Sequence, residues 1–510
     1  MSIAMPAFNW LLVEPLGLLA MAAVLILLAS LFMDRDEEAD LAGVALVGII
    51  AAGYTLYRLW GHTASSAFSG MITVDHFGIA LSFVILFSAA VGVVLAWTDR
   101  HLGAEYLVEI LLAALGMLLL AEASNVLSVF LGVEILSLPL YVLAGLHPER
   151  MESREAAVKY VLLGAFSSGV MLYGMALAYG ATGALELSVI GQRLSAGAGA
   201  LAYVGVALIV VGLAFKLAVA PFHSWAPDVY QGSPTPVTAF MSVGTKAAAF
   251  AALARVLLVG FAYVYHHWQP VLWVLAGLTM IVGNLMALRQ TSLKRLLGYS
   301  GVAHAGYLLV ALAAATGLGL FSSVYYLIAY AFMNLGAFAV VWGLSRERDE
   351  GDDVAAYRGL FFRQPLVAGA MTVFLLSLAS IPTTAGFMGK LTILMAAVQT
   401  GDWPLAVLLV IATMIGLYVY LKVALAMFDR AGVAASALSE AAAAQGGGVG
   451  LVGMGAAPAA AEPAPNAAAS APAMSLGPWL VVAVSVVGTF AFGLLPAPLL
   501  HLLSSNILLP

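Results

Sequence analysis

The sequence predicts an all-α polytopic membrane protein with about fourteen transmembrane helices, the seventh and twelfth of them discontinuous. Three observations carry that prediction. Of the 510 residues, 63% are hydrophobic and 9% charged, and the mean hydropathy is +1.03, far from the balance of a chain that folds around one core in water. The apolar residues collect in runs long enough to cross roughly 30 Å of hydrocarbon as helices. Two of the crossings are interrupted at a proline, Pro221 at the end of the seventh run and Pro382 inside the twelfth, and proline supplies no helical N–H.

In chain order the first six runs lie at residues 11–32, 41–60, 77–97, 106–121, 126–146 and 156–179. The seventh, 201–220, leads into GLAFKLAVAPFHSWAPDVYQGSPTP at 212–236, where an apolar helix carrying Lys216 meets Pro221. In lipid each backbone group freed by such a break needs a partner from protein or a water-filled cavity. Runs at 237–263, 271–288, 296–315 and 320–344 follow. The twelfth, 366–399, is too long for one straight helix and is interrupted by Pro382, Thr383, Thr384, Gly386 and Gly389; runs at 403–428 and 479–500 complete the set.

The two broken helices are five apart, so they run in opposite directions through the bilayer. Helices four to eight and nine to thirteen are therefore expected to form two inverted five-helix repeats. The expected organisation is three N-terminal helices in 1–100, the first repeat in 104–264, the second in 268–429 and a last helix in 478–510. Residues 430–477 are rich in Ala, Pro and Gly and read as a flexible cytoplasmic insert.

Loops after odd-numbered helices hold thirteen basic residues: Arg35, Arg100, Arg150, Arg154, Lys159, Arg289, Lys294, Arg295, Arg346, Arg348, Arg358, Arg363 and Arg430. Loops after even-numbered helices hold Arg58 and Arg193. By the positive-inside rule the odd loops are cytoplasmic and both termini face outward. The acidic runs from Asp34 and Arg346 read as solvated caps. No basic stripe exists, which argues against nucleic acid as a partner. The absence of cysteine excludes disulfides and thiolate-held iron–sulfur or zinc centres in this chain. No Lys or Arg precedes Arg35, so no cleaved signal peptide is expected.

Five basic residues remain, all inside predicted helices: Lys216, Lys246, Arg255, Lys390 and Lys422. A lysine deep in an apolar helix costs roughly 2.5–3.5 kcal/mol on insertion scales, so it marks an ion or proton path by default. Glu134, about nine residues into the fifth helix, matches Lys216 in depth, and the two are expected to form an ion pair. A static strut between helices is the competing reading. Lys246 and Lys390 lie far from helix ends, where a desolvated ammonium can exchange its proton near neutral pH. His304, in the tenth helix, reads either as a proton relay with Tyr307 or as a hydrogen-bonded packing residue. Lys422 and Arg255 are nearer helix ends and read as snorkelling to the interface. Histidines 266 and 267 point to different faces and make a poor metal pair. His223 and Trp225 read as lining a mouth or anchoring at the interface, Asp228 and Tyr230 as loop caps, and Glu109 and Glu122 as acids in interfacial water.

At these residues the chain resembles a known family: the antiporter-like membrane subunits of respiratory complex I, and within it subunit N of the proton-translocating NADH–quinone oxidoreductase. The segments that carry the resemblance are FLGVEILSLPLYVLAG, FKLAVAPFHSWAPDVYQGSPTPVTAF, LKRLLGYSGVAHAGYLL and IPTTAGFMGKLTIL, and it spans nearly the whole chain. It implies fourteen helices with two inverted repeats. It also implies that Glu134 and Lys216 act as a coupled pair, Lys246 as the bridging base and Lys390 as the terminal one. Lysine at 390 fits subunit N, whereas subunit M has glutamate there, and the long lateral helix of subunit L is absent. The insert at 430–477 departs from the family pattern. The resemblance further implies a bacterial inner membrane, other membrane subunits of complex I as partners, and protons as the cargo. NAD, FMN, iron–sulfur clusters and quinone are then expected in other subunits and no cofactor in this one. The competing expectation is a subunit of a multisubunit cation/proton antiporter, which shares this lysine pattern.

Overall fold

The computed structural model describes residues 9–35, 37–62, 64–97, 102–345, 352–430 and 474–507. Residues 431–473 of the predicted insert, with Arg100, Arg346, Arg348 and most of the second acidic run, lie outside the described residues.

Thirteen helices among the described residues are long and apolar enough to cross a membrane, and two shorter apolar helices lie end to end between them. The first half comprises α1 (Trp10–Ser30), α2 (Ala42–Trp60), α3 (His76–Ala96), α4 (Ala104–Ala121), α5 (Val126–Ala144), α6 (Met151–Thr182), a short α7 (Leu187–Ser195), α8 (Ala200–Leu217), α9 (Trp225–Gly232) and α10 (Thr235–Arg255). The second half comprises α11 (Tyr265–Ala287), α12 (Leu293–Ala313), α13 (Gly317–Leu344), a single turn α14 (Leu360–Arg363), α15 (Pro365–Leu378), α16 (Ala385–Gln399), α17 (Trp403–Met427), α18 (Leu476–Leu494) and α19 (Ala497–Asn506). The two-part crossing α15–α16 and the thirteen full spans make the fourteen predicted from the apolar runs.

Polar residues at the ends of the apolar runs start these helices. Side chains of Asn9, Asp75, Asn125, Ser292 and Thr316 accept first-turn N–H groups of α1, α3, α5, α12 and α13. Every residue of α10 is buried, and every residue of α12 except Arg295. These two helices are buried on every side and form the centre of the bundle, so their few polar side chains are buried with them. Outer helices instead expose apolar side chains, among them Leu28 on α1, Phe166 on α6 and Met414 on α17, as lipid contact requires. Helices approach closely where small residues permit it: a Cβ at Gly116 of α4 would collide with the backbone of α5 at Leu136.

The seventh and twelfth crossings break in the same way. Ala218 after α8 and Ser380 after α15 both take the left-handed conformation, with φ of 57° and 63°. Each is followed by a residue whose N–H reaches back five positions, Val219 to Ala214 O at 2.8 Å and Ile381 to Leu376 O at 3.0 Å. This closure satisfies the last helical carbonyls, and proline follows shortly after in both. Other freed groups find side chains, as burial in lipid demands. Trp225 Nε1 donates to Phe215 O at 3.0 Å, Ala220 N to Thr279 Oγ1 at 3.0 Å, and Gly386 N to Ser377 Oγ at 3.2 Å.

Several expectations are corrected. A two-stranded antiparallel hairpin, β1 (Ser65–Ala67) and β2 (Ile72–Val74), stands on the otherwise helical bundle. Thr73 N donates to Glu122 O at 2.8 Å, which ties this hairpin to the α4–α5 turn. Arg255 does not snorkel: it is buried and grips Asp75 with two hydrogen bonds of 2.8 and 2.7 Å. Glu122 is buried beside it rather than wetted at an interface. Within the first acidic run, Glu38 is a tertiary cap, accepting the N–H of Ala104 at 2.8 Å. Asp228 and Tyr230 sit on helix α9 rather than in a loop, because Pro221 breaks the crossing without ending it.

Candidate functional site

The breaks position two of the predicted lysines by a shared device. Lys216 lies in the last turn of α8, and Lys390, on α16, donates to Leu378 O at the end of α15 at 3.3 Å. Each lysine thus belongs to the C-terminal end of a half-helix or bonds it, where the negative end of the helix dipole favours a cation. Both lysines are buried, with 2% and 5% of their surface exposed.

Lys216 Nζ has no hydrogen-bond partner among the described residues and faces the rings of Tyr141 at 5.3 Å and Tyr160 at 5.2 Å. Glu134 Oε1 is also unpartnered. The expected direct ion pair is therefore not formed. Glu134 of α5 and Lys216 of α8 share no direct bond, and the rings of Tyr141 and Tyr160 stand beside the ammonium.

Lys246, on α10, donates to the Tyr230 hydroxyl at 3.1 Å and lies 5.9 Å from the Tyr330 ring centre. Gly301 of α12 makes room for it, since a Cβ built there would stand 3.1 Å from Nζ. His304, one turn further along α12, bridges two phenols: Nδ1 to Tyr326 Oη at 2.5 Å and Nε2 to Tyr420 Oη at 3.3 Å. Lys390 Nζ stands over the Tyr307 ring at 4.3 Å.

These side chains lie along one row of rings that sequence reading did not reveal. Tyr141 packs edge-on against Tyr160 at 4.8 Å, Tyr160 stacks on Trp225 at 4.6 Å, and Trp225 meets Tyr230 at 6.4 Å. Beyond Lys246 the row continues from Tyr330 to His304 at 4.9 Å and from His304 to Tyr307 at 5.5 Å. Ring faces attract a nearby ammonium, and phenol hydroxyls both donate and accept protons. Trp225 is part of this buried row and not an interface anchor, whereas His223 stays half-buried beside Tyr299, 6.3 Å between ring centres. Tyr141, Tyr160, Tyr326, Tyr330 and Tyr420 went unnoticed because a tyrosine in an apolar run equally suits a membrane-interface belt.

On the basic face, Asp228 binds Lys159 at 2.5 Å and Arg295 at 2.6 Å. Partial burial pushes its carboxyl up, but these two cations outweigh that and hold it below the usual aspartate range. Lys422 is exposed and donates to Leu288 O at 3.4 Å, as expected of a snorkelling lysine. Among the described residues no group of three or more His, Asp or Glu is placed to hold a metal.

A family model described as NADH:quinone oxidoreductase/Mrp antiporter, TM matches residues 123–416, the segment that contains all five predicted site residues. Subunit N of the NADH-quinone oxidoreductase of Symbiobacterium thermophilum is 40% identical, with 97% of this chain and 98% of that protein covered. The chain belongs to the subunit N family of NADH-quinone oxidoreductases. Other subunit N relatives include that of Trichlorobacter lovleyi, 43% identical over 83% of this chain and 88% of the relative, and that of Chloroflexus aggregans, 37% identical over 99% of each. A chain of respiratory complex I from Thermus thermophilus superposes with a TM-score of 0.77 at 35% identity, covering 97% of this chain and 100% of that one. The Mrp complex of a Dietzia species gives 0.78 at 22% identity, a likeness of fold alone. The subunit N family places this chain among the membrane subunits of a respiratory enzyme.

Proposed function

We propose that the chain is an antiporter-like, proton-translocating subunit of an NADH–quinone oxidoreductase, driven by quinone reduction elsewhere in the complex. A proton arrives from the cytoplasmic side at Lys216, moves along the ring row through Lys246 and His304 to Lys390, and leaves outward. The observation that carries the reading is the continuous buried row joining three desolvated lysines and a histidine, with two lysines at half-helix ends. A lysine at such depth is costly for a structural element, and three sharing one row are better explained as a path.

Glu134 is the lever. At an effective dielectric of 20, moving a carboxylate from about 4 to about 8 Å of an ammonium changes their interaction by about 2 kcal/mol, roughly thirtyfold in proton affinity. Glu134 and Lys216 share no direct bond, so no bond between them has to break for that movement. NAD, FMN, iron–sulfur clusters and quinone belong to other subunits, and the other membrane subunits of complex I are the partners in the bilayer. The protein resides in a bacterial inner membrane with both termini outward, as its thirteen-to-two division of loop basic residues supports. The identity to subunit N relatives favours this reading over a cation/proton antiporter.

The test is Lys216→Met in the assembled complex reconstituted into liposomes. Proton translocation per NADH oxidised is expected to fall with the subunit still present, and normal translocation would overturn the reading.

A further inference from the structure

Tyr420 of α17 does more than hold His304. Its hydroxyl also lies 2.6 Å from Ser300 Oγ, so Ser300, Tyr420 and His304 form one hydrogen-bonded unit off the side of the ring row. All three are buried. Leu296, Ser300 and His304 are four residues apart and share one face of α12, with about 6 Å per step toward its basic end. At that end a cavity of about 10 Å³ opens between α12, α17 and the end of α11. Leu296, Val419, Val423, Leu288, Gln290 and Lys422 line it, and it has room for a single water. Its polar members, Gln290 and the exposed Lys422, belong to the face that carries Arg289, Lys294 and Arg295.

We infer that the second half of the chain has its own inner-side proton intake, running from Lys422 through this cavity to Ser300, Tyr420 and His304. The inference rests on the relay proposed above and adds a second point of loading, independent of Lys216. Lys422 draws water to the mouth by its charge. The phenol then passes a proton in one concerted shift: it donates its own hydrogen to His304 Nε2 while accepting one from the Ser300 hydroxyl, which a water in turn restores. Each oxygen keeps its bond count, and the imidazole hands the extra proton through Nδ1 toward Tyr326. Nothing is oxidised or reduced.

The test compares three variants of the assembled complex in liposomes by protons translocated per NADH oxidised. Tyr420→Phe removes the shared hydroxyl. Val419→Ile fills the one-water cavity with a methyl group and leaves the Ser300–Tyr420–His304 bonds intact. Lys216→Met closes the first intake. Tyr420→Phe and Val419→Ile are each expected to lose about half of what Lys216→Met loses. Either one at the wild-type ratio, with Lys216→Met impaired, overturns the second intake and leaves the relay standing. All three at the wild-type ratio overturn both. If Tyr420→Phe fails to assemble, Val419→Ile decides, since a cavity-filling methyl moves the ratio only if water passes there.

Discussion

The Lys246 ammonium donates a hydrogen bond of 3.1 Å to the Tyr230 hydroxyl across the face between α9 and α10. Among the described residues it is the one hydrogen bond from a relay lysine to another side chain, since Lys390 bonds a backbone carbonyl and Lys216 Nζ has no partner. The far half of the broken seventh crossing thereby fixes the middle of the row.

Removing that hydroxyl in Tyr230→Phe takes a charge-assisted bond from a buried site, a loss of about 1.5–3 kcal/mol for the charged lysine. The expected result is an assembled complex whose translocation is slowed by about tenfold, read by fluorescent-probe quenching in liposomes. An unchanged rate would mean that Tyr230 only packs.

Two glycines separate a site effect from a folding effect. At Gly301 a new Cβ meets the flexible tip of Lys246, so Gly301→Ala is expected to assemble but translocate poorly. At Gly116 the new Cβ meets the backbone of α5, which cannot yield without parting two helices. Gly116→Ala is therefore expected to deplete the subunit from membranes, as immunoblotting would report.

Arg255 and Asp75 form a buried bidentate pair that pins α3 to α10. Breaking it from one side leaves an uncompensated charge, at a cost of about 3–5 kcal/mol. Arg255→Ala is expected to lower subunit abundance sharply. Arg255→Lys should restore it only in part, because a point charge does not reproduce the guanidinium fork. The double change Asp75→Asn with Arg255→Met is expected to assemble better than Arg255→Ala, and equal loss in both would refute the pairing argument.

Asp228 gives a prediction in pH. Its carboxyl is held below the ordinary range in the folded protein, so its contribution is fully present above the unfolded value of about 3.9 and is lost only as pH falls through the folded one. Because the pair is partly solvated, Asp228→Asn should cost at most about 1 kcal/mol. The difference in melting temperature between the variant and wild type should be flat from pH 5 to 8. A difference that changes near neutrality would assign the effect to another group.

Much of this molecule is written in local pattern. Apolar run length alone marks the fourteen crossings, because lipid forces each run into a helix that satisfies its own backbone. Pro221 and Pro382 fall at the two breaks, whereas Pro15, Pro139 and Pro270 lie inside unbroken helices; what sets the breaks apart in the structure is the left-handed residue before each, Ala218 and Ser380. Charge in an apolar context singles out Lys216, Lys246 and Lys390, and all three are buried.

The tertiary structure decided the rest, and the reason is distance along the chain. Arg255 looks like a snorkelling cation until Asp75, 180 residues earlier, is packed against it. Glu134 and Lys216 match in depth, yet depth does not fix the separation of two helices, and here no direct bond forms. The tyrosines of the row come from α5, α6, α9, α12 and α13, with Tyr420 beside it on α17, and no local spacing relates them. A lysine declares itself in an apolar sequence by its cost, whereas a tyrosine is cheap in many places. Only the packed bundle decides which tyrosines stand beside the charges.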